Sequence, residues 1–274
     1  MIDDLPTDAQ IDCAPQFAPD PQPTSRAKRW PNTVCYMAAL ISTLSAFPGH
    51  AGEPQIAPPK GFIEHFAHPS PEVWRAAHYA FSHPFFDTDW SRDNVTYKAG
   101  LNLSLSPQYD RKNRFSGASL RRVETSHYGR YSVVMRPARG DGIVTGFFTY
   151  TGPYYGARHD EIDIEFLGQD TTKMHVAWFV DGALQNHVIP LGFDAADSFR
   201  RYSFEWLPDR LRWFVADELI FEVTETDTLL PKEPGFLFAN VWAVSDALEP
   251  WAGRAVDTTK AQAIVREIAF TPAH

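Results

Sequence analysis

Cysteine is almost missing from this 274-residue chain: Cys13 and Cys35 are the only two, and both lie within or before an apolar run over residues 33–47. Beyond that run no disulfide framework and no thiolate metal site can form. Long hydrophobic segments are missing too, since the run is about 15 residues against the roughly 20 that cross a bilayer. No stretch sustains a 3.6-residue apolar period, and no internal repeat or low-complexity linker appears after Gly61. A helical bundle and a repeat array are thereby disfavoured. Positive charge is in deficit, with 25 Lys and Arg against 34 Asp and Glu and a net charge of −9. That balance argues against nucleic acid and against anionic membrane surfaces as partners.

The amino-terminal region is rich in Pro, Asp, Ala and Gln and reads as unfolded. Arg26, Lys28 and Arg29 precede the apolar run, and Pro48-Gly49-His50-Ala51 follows it with small residues where a signal peptidase cuts. This is a secretory pattern with an overlong basic region; an uncleaved anchor or a buried helix is the alternative. The chain then divides into an extension and signal over 1–51, a linker over 52–60 and one domain over 61–274. The expected destination is the periplasm or the medium, and the expected state a monomer with no membrane attachment.

After Gly61 short apolar-alternating stretches recur every 8–15 residues or so, with turn signals between them. Strands are expected over 119–124, 130–136, 143–150, 160–167, 173–180, 201–206, 210–215, 235–242 and 263–270. Turns are expected at Arg139-Gly140-Asp141-Gly142, Thr151-Gly152-Pro153, Asp181-Gly182 and Pro208-Asp209. The pattern predicts an all-β antiparallel sandwich. Hydrophobic residues at 44 % and aromatics at 14 % are enough for a core, with rings left over for a surface.

The segment Asp160-Glu161-Ile162-Asp163-Ile164-Glu165-Phe166-Leu167-Gly168 stands apart. On a strand its period of two sends Glu161, Asp163 and Glu165 to one face and Ile162, Ile164 and Phe166 to the other. Three like charges on one strip repel, and glycosidic bond cleavage gives a reason to keep them, because it needs two carboxyl groups across a sugar linkage with one protonated. Four residues along a strand separate Cα atoms by about 13 Å. Two long glutamate side chains on a curved sheet can shorten that toward the roughly 5–5.5 Å of a retaining pair. Asp163 between them can bond the nucleophile and help hold the other glutamate protonated. A solvated acidic edge strand remains an alternative. So does a Ca²⁺ site, though an Asp/Asn/Gly-rich ligand loop is missing.

Residues 142–192, with Gly146-Phe147-Phe148-Thr149-Tyr150-Thr151-Gly152-Pro153 followed by Asp160–Gly168, closely resemble the bacterial lichenases and exopolysaccharide depolymerases of glycoside hydrolase family 16. The resemblance extends more weakly over about 62–270. It implies a concanavalin-like jelly roll of two antiparallel sheets with a concave groove, and endo-acting, retaining hydrolysis of a β-glucan-like polysaccharide. By that match Glu161 is the nucleophile, Glu165 the acid/base and Asp163 the assisting carboxyl. Asn240 and Trp242 match an Asn-x-Trp that contacts sugar, Tyr150 a groove tyrosine and Arg121 a cleft-side arginine. His159 stands where lichenases carry Trp, and is expected to bind a hydroxyl or an acidic substituent.

Departures from the pattern matter as much. Ser82, Ser119, His175, Ala177 and Phe179 replace polar groove residues of lichenases, which argues against plain mixed-linkage glucan as the best substrate. The bridging cysteines of lichenases read about Thr88 and Gly117. Arg266 occupies the position of an aspartate that helps hold the family's structural calcium, so no metal or other cofactor is expected. Two further functions are weighed. A transglycosylase uses the same carboxyls but gives the sugar to another chain, and a non-catalytic carbohydrate-binding sandwich needs a groove but no carboxyl pair.

Overall fold

The structure, a computed structural model, describes residues 60–273. The extension and signal over 1–51, both cysteines and all of the 52–60 linker except Lys60 lie outside the described residues. Among the described residues no helix is long and apolar enough to cross a membrane. In chain order the strands are β1 (Phe62–Glu64), β2 (Trp74–Ala76), β3 (Thr88–Trp90), β4 (Val95–Tyr97), β5 (Leu101–Pro107), β6 (Phe115–Ser126), β7 (Gly129–Arg136), β8 (Ile143–Thr151), β9 (Asp160–Leu167), β10 (Lys173–Val180), β11 (Ala183–Pro190), β12 (Arg200–Trp206), β13 (Arg210–Val215), β14 (Glu218–Thr224), β15 (Gly235–Ala243) and β16 (Ala261–Pro272). The one α-helix among them is a single turn, α1 (Glu249–Ala252).

Two sheets face each other. One runs β11-β10-β9-β8-β15-β6 with β2 on β6; the other runs β5-β16-β7-β12-β13-β14 with β4 on β5 and β1 on β16. They join at a corner where Ser106 and Pro107 of β5 pair with Ser116 and Phe115 of β6. The pairing is antiparallel throughout except for β3, which lies parallel to β6. The expected all-β jelly roll of two antiparallel sheets is therefore present, with one parallel pair at its corner.

The core is built by alternation. In β7, Tyr131, Val133 and Met135 point inward while Arg130, Ser132, Val134 and Arg136 are half-buried. Strand β8 is buried along its whole length because both its faces are covered. Ile143 and Phe147 join the inter-sheet core, and Val144, Phe148 and Tyr150 join two smaller clusters on the outer side of that sheet. The second of these two faces carries the candidate site.

All nine expected strands are present, with ends shifted by no more than four residues. Those that pattern reading passed over have identifiable reasons. Edge strand β11 is mostly exposed, its apolar residues Leu184, Val188 and Ile189 are interrupted by Gln185-Asn186-His187, and it is ordered by its register with β10. The turn before β14 is Ala216-Asp217, with φ of 48° and 68°, a left-handed pair that no glycine announces. By contrast Asp181-Gly182, with φ of 51° and 81°, is the expected hairpin turn. Strand β5 does alternate, with Leu101, Leu103 and Leu105 buried.

Alanine is a poor residue for the left-handed region, whereas asparagine tolerates it. Ala216→Asn should stabilise the domain by about 0.5–1 kcal/mol. Thermal denaturation would register this as a melting point a few degrees higher; an unchanged or lower one would mean the turn is not strained.

Candidate active site

Cross-strand register assembles the site in three rows across one sheet face. The first runs Leu184, Phe179, Glu161, Tyr150, Phe236; the second Asn186, Ala177, Asp163, Phe148, Phe238, Arg121; the third Val188, His175, Glu165, Gly146, Asn240, Ser119. Each acid is therefore flanked by rings or by small residues. Behind the strip Ile162, Ile164 and Phe166 are fully buried in the inter-sheet core. From the opposite sheet Trp213 donates its indole N–H to the Asp163 carbonyl at 3.1 Å, tying the middle of β9 to β13.

Glu161 and Asp163 are buried, each 4 % exposed, and Glu165 is half-buried. Burial first, then the negative charge of Glu161, pushes the Glu165 carboxyl up to about 8. The same two causes, in the same order, hold Asp163 well above the ordinary aspartate range, and Asp163 hydrogen-bonds Glu161. Burial and neighbouring negative charge thus favour the protonated form at both Glu165 and Asp163. The charge that protonates Glu165 is that of Glu161 rather than that of Asp163, which departs from the sequence expectation. One Asp163 oxygen, Oδ2, is buried without a hydrogen-bond partner.

The fourth acid of the segment faces away. Asp160 accepts backbone N–H groups from Asp181 at 3.1 Å, Lys232 at 2.7 Å and Glu233 at 3.0 Å, so it fastens the β10–β11 turn and the 232–233 loop to the start of β9. Its odd-even offset from Glu161 separates structural from chemical acids on one strand.

The other sequence-chosen residues sit on the same face but mostly in closed settings. Tyr150, expected at the groove wall, has no exposed surface; it lies edge-on to Tyr155 and His159. Arg121 is buried with its guanidinium 4.2 Å over the Phe236 ring, and its Nη1 donates to the Arg122 carbonyl. Asn240 Oδ1 accepts the Gly146 N–H at 3.1 Å, an approach that a Cβ on Gly146 would obstruct. Trp242 stacks on Phe86 with centroids 4.0 Å apart. Beyond Phe86 an open hollow of about 690 Å³ is lined by Ser82, His83, Lys112, Arg114 and Asp246 among others. His159 turns its Nε2 to Glu161 Oε2 at 2.7 Å rather than to the open side.

Sequence reading missed the rings that complete these rows. Phe236, Tyr155 and Phe86 carry no local motif, and their roles arise from strand pairing and loop packing. Trp251 on α1 stands edge-on to His175 and 6.4 Å from Trp242. At His175, burial and then the Lys173 charge push the imidazole down to about 4, so it is neutral beside Glu165. Among the described residues no cluster of three or more His, Cys, Asp or Glu side chains is arranged to hold a metal ion. The Arg266 guanidinium lies 3.7 Å over the Phe199 ring.

A strip that keeps one carboxylate charged and the next-but-one neighbour protonated can attack a carbon and protonate the oxygen that leaves it, which is the chemistry of a glycoside hydrolase. Comparison with known proteins fixes the family. The model for glycosyl hydrolases family 16 matches residues 83–261, and this chain belongs to that family. It is 40 % identical over 197 residues to a beta-glucanase of Bacillus licheniformis, covering 70 % of this chain and 78 % of that protein. A beta-glucanase of Paenibacillus polymyxa is 35 % identical over 216 residues, 78 % of this chain and 85 % of that one. The solved B. licheniformis enzyme superposes with a TM-score of 0.73 at 34 % identity, over 80 % of this chain and 100 % of that one. A transglycosylase, Crh5, shares the fold at 20 % identity and a TM-score of 0.63.

Because the folded pKa of Glu165 lies above its unfolded value near 4.5, the folded state binds the extra proton between those values. The domain therefore loses stability as pH rises from about 4.5 to about 8, and no more beyond it. Glu165→Gln removes this loss. Its melting temperature should exceed that of the wild type by several degrees at pH 9, with the gap closing toward pH 5; an equal gap at both would refute the assigned burial.

Proposed function

We propose that this protein is an endo-acting, retaining β-glucanase. The observation that carries the reading is the pairing on β9 of a charged Glu161 with a Glu165 whose proton is held up to about 8. In the first displacement Glu161 bonds the anomeric carbon while Glu165 gives its proton to the departing oxygen. In the second, Glu165 takes a proton from water, whose oxygen bonds the anomeric carbon, and the Glu161 carboxylate leaves. Asp163 holds Glu161 in place between them.

Substrate preference is the finer part of the proposal. The beta-glucanase names of the relatives support a glucan backbone. In the site rows Phe179 and Ala177 offer no side-chain hydrogen bond to a hydroxyl, and Ser119 is buried. This favours a bacterial exopolysaccharide over unsubstituted mixed-linkage glucan, with release from the cell directed by the leader over 1–51. Hydrolysis rather than chain transfer is the primary reading because the more similar relatives are glucanases and the transglycosylase shares only the fold. Arg266 in the calcium position supports a metal-independent fold.

Three outcomes are expected. Purified domain should release reducing ends from barley glucan, laminarin or a succinoglycan-type polymer, whereas Glu161→Gln should lose at least about 10³-fold; sugar binding without release by either would make this a binding module. Early products should be the β-anomer by proton NMR, and the rate should fall as pH rises through about 8 with loss of the Glu165 proton; initial α-product or a rate flat to pH 10 would sink the mechanism. EDTA should leave the melting temperature within about a degree, and a drop of about 5 °C or more would reveal a structural cation.

A further inference from the structure

The two-carboxyl mechanism asks nothing of a histidine, yet His159 is built into the site. It is 6 % exposed, and its Nε2 lies 2.7 Å from Oε2 of the equally enclosed Glu161. The imidazole stacks on Phe179 with centroids 4.7 Å apart and 17° between planes, and Tyr150 meets it edge-on at 5.2 Å. Its backbone carbonyl accepts the Gly182 N–H at 2.9 Å, fixing the residue to the β10–β11 turn. A ring held on its face, its edge and its backbone has one direction, and that direction is the nucleophile.

The bond defines where a proton sits. A carboxylate only accepts hydrogen bonds, and Glu161 attacks as a carboxylate, so Nε2 carries the N–H in either charge state of the ring. Among the described residues the acids and the arginine beside it in sequence have contacts of their own. Burial and the Glu161 charge raise the Asp163 and Glu165 carboxyls, Asp160 is turned to the backbone of residues 181, 232 and 233, and Arg158 pairs with Glu233.

The strength of this bond changes through the reaction. It is charge-assisted while Glu161 is free and weakens once Glu161 is a neutral glycosyl ester. On the retaining reading above, we infer that His159 is a positioning residue that holds the nucleophile through Oε2 and accelerates breakdown of the glycosyl-enzyme. In that step the water oxygen bonds C1, its proton passes to Glu165, and the C1–O bond to Glu161 breaks. The electron pair returns to the carboxylate, where the His159 N–H stabilises it.

The test uses 2,4-dinitrophenyl β-cellobioside, whose leaving group needs no proton from Glu165, so that kcat/KM reports formation of the intermediate and kcat its breakdown. His159→Phe keeps the stacking and removes the donor. Its kcat should fall about 10- to 100-fold with KM falling alongside, kcat/KM should stay within about 3-fold, and a burst of dinitrophenolate near one equivalent should appear. His159→Gln, which restores an N–H, should recover much of kcat. Equal falls in kcat and kcat/KM, or no change in either, would overturn the assignment. If His159→Phe fails to fold, the Gln variant and a spectroscopic readout carry the test. Proton NMR of the wild type should show a downfield Nε2–H resonance that moves upfield in Glu161→Gln. Signal without turnover supports the pairing while defeating the hydrolase reading. Turnover with a signal absent, or indifferent to Glu161→Gln, defeats the role of His159.

Discussion

Three carboxyl groups cannot all stay charged once a sheet has taken them out of water and set them on one strip. Burial and the negative charge of Glu161 shift the other two toward their protonated forms: Glu165 is pushed up to about 8, and Asp163 well above the ordinary aspartate range. The chemical asymmetry of the site thus follows from electrostatics applied to three similar groups. The His159 contact adds a directional anchor to Glu161.

That arrangement persists only because the reverse face of β9 is committed elsewhere. Ile162, Ile164 and Phe166 are fully enclosed between the sheets, and slipping the strand by one residue would exchange them for the acids. Trp213 and Asp160 reinforce the register from different directions, the first through the carbonyl of Asp163 and the second through three backbone N–H groups of the neighbouring loops. The hydrophobic core of the sandwich therefore sustains the electrostatic strain of the site, as is common where structure serves chemistry.

Membership of glycosyl hydrolase family 16 fits this division of labour: the family match over residues 83–261 takes in the acidic strip, its apolar backing and the surrounding rows. Phe179 is one residue of those rows. As a face for the His159 ring it steadies the hydrogen-bond partner of Glu161, and its side chain has no polar atom. The composition of the rows and the placement of Glu161 are in this way coupled through a single side chain.

Periodicity by itself determined the sheet-rich class, nine of the strands and the separation of acids from core on β9, because alternation is a local property that a strand converts directly into two faces. It did not reveal β14, whose turn uses Ala216-Asp217 in a conformation usually marked by glycine, or β11, whose polar residues are ordered by a neighbouring strand. Tertiary structure alone decided that Tyr150 is enclosed, that Arg121 rests on Phe236, that His159 points at Glu161 and that Trp251 reaches His175. These contacts join residues from different strands and loops. Their geometry depends on register and burial, and the pKa shifts of the acids depend on the low-dielectric surroundings that only the assembled sandwich creates.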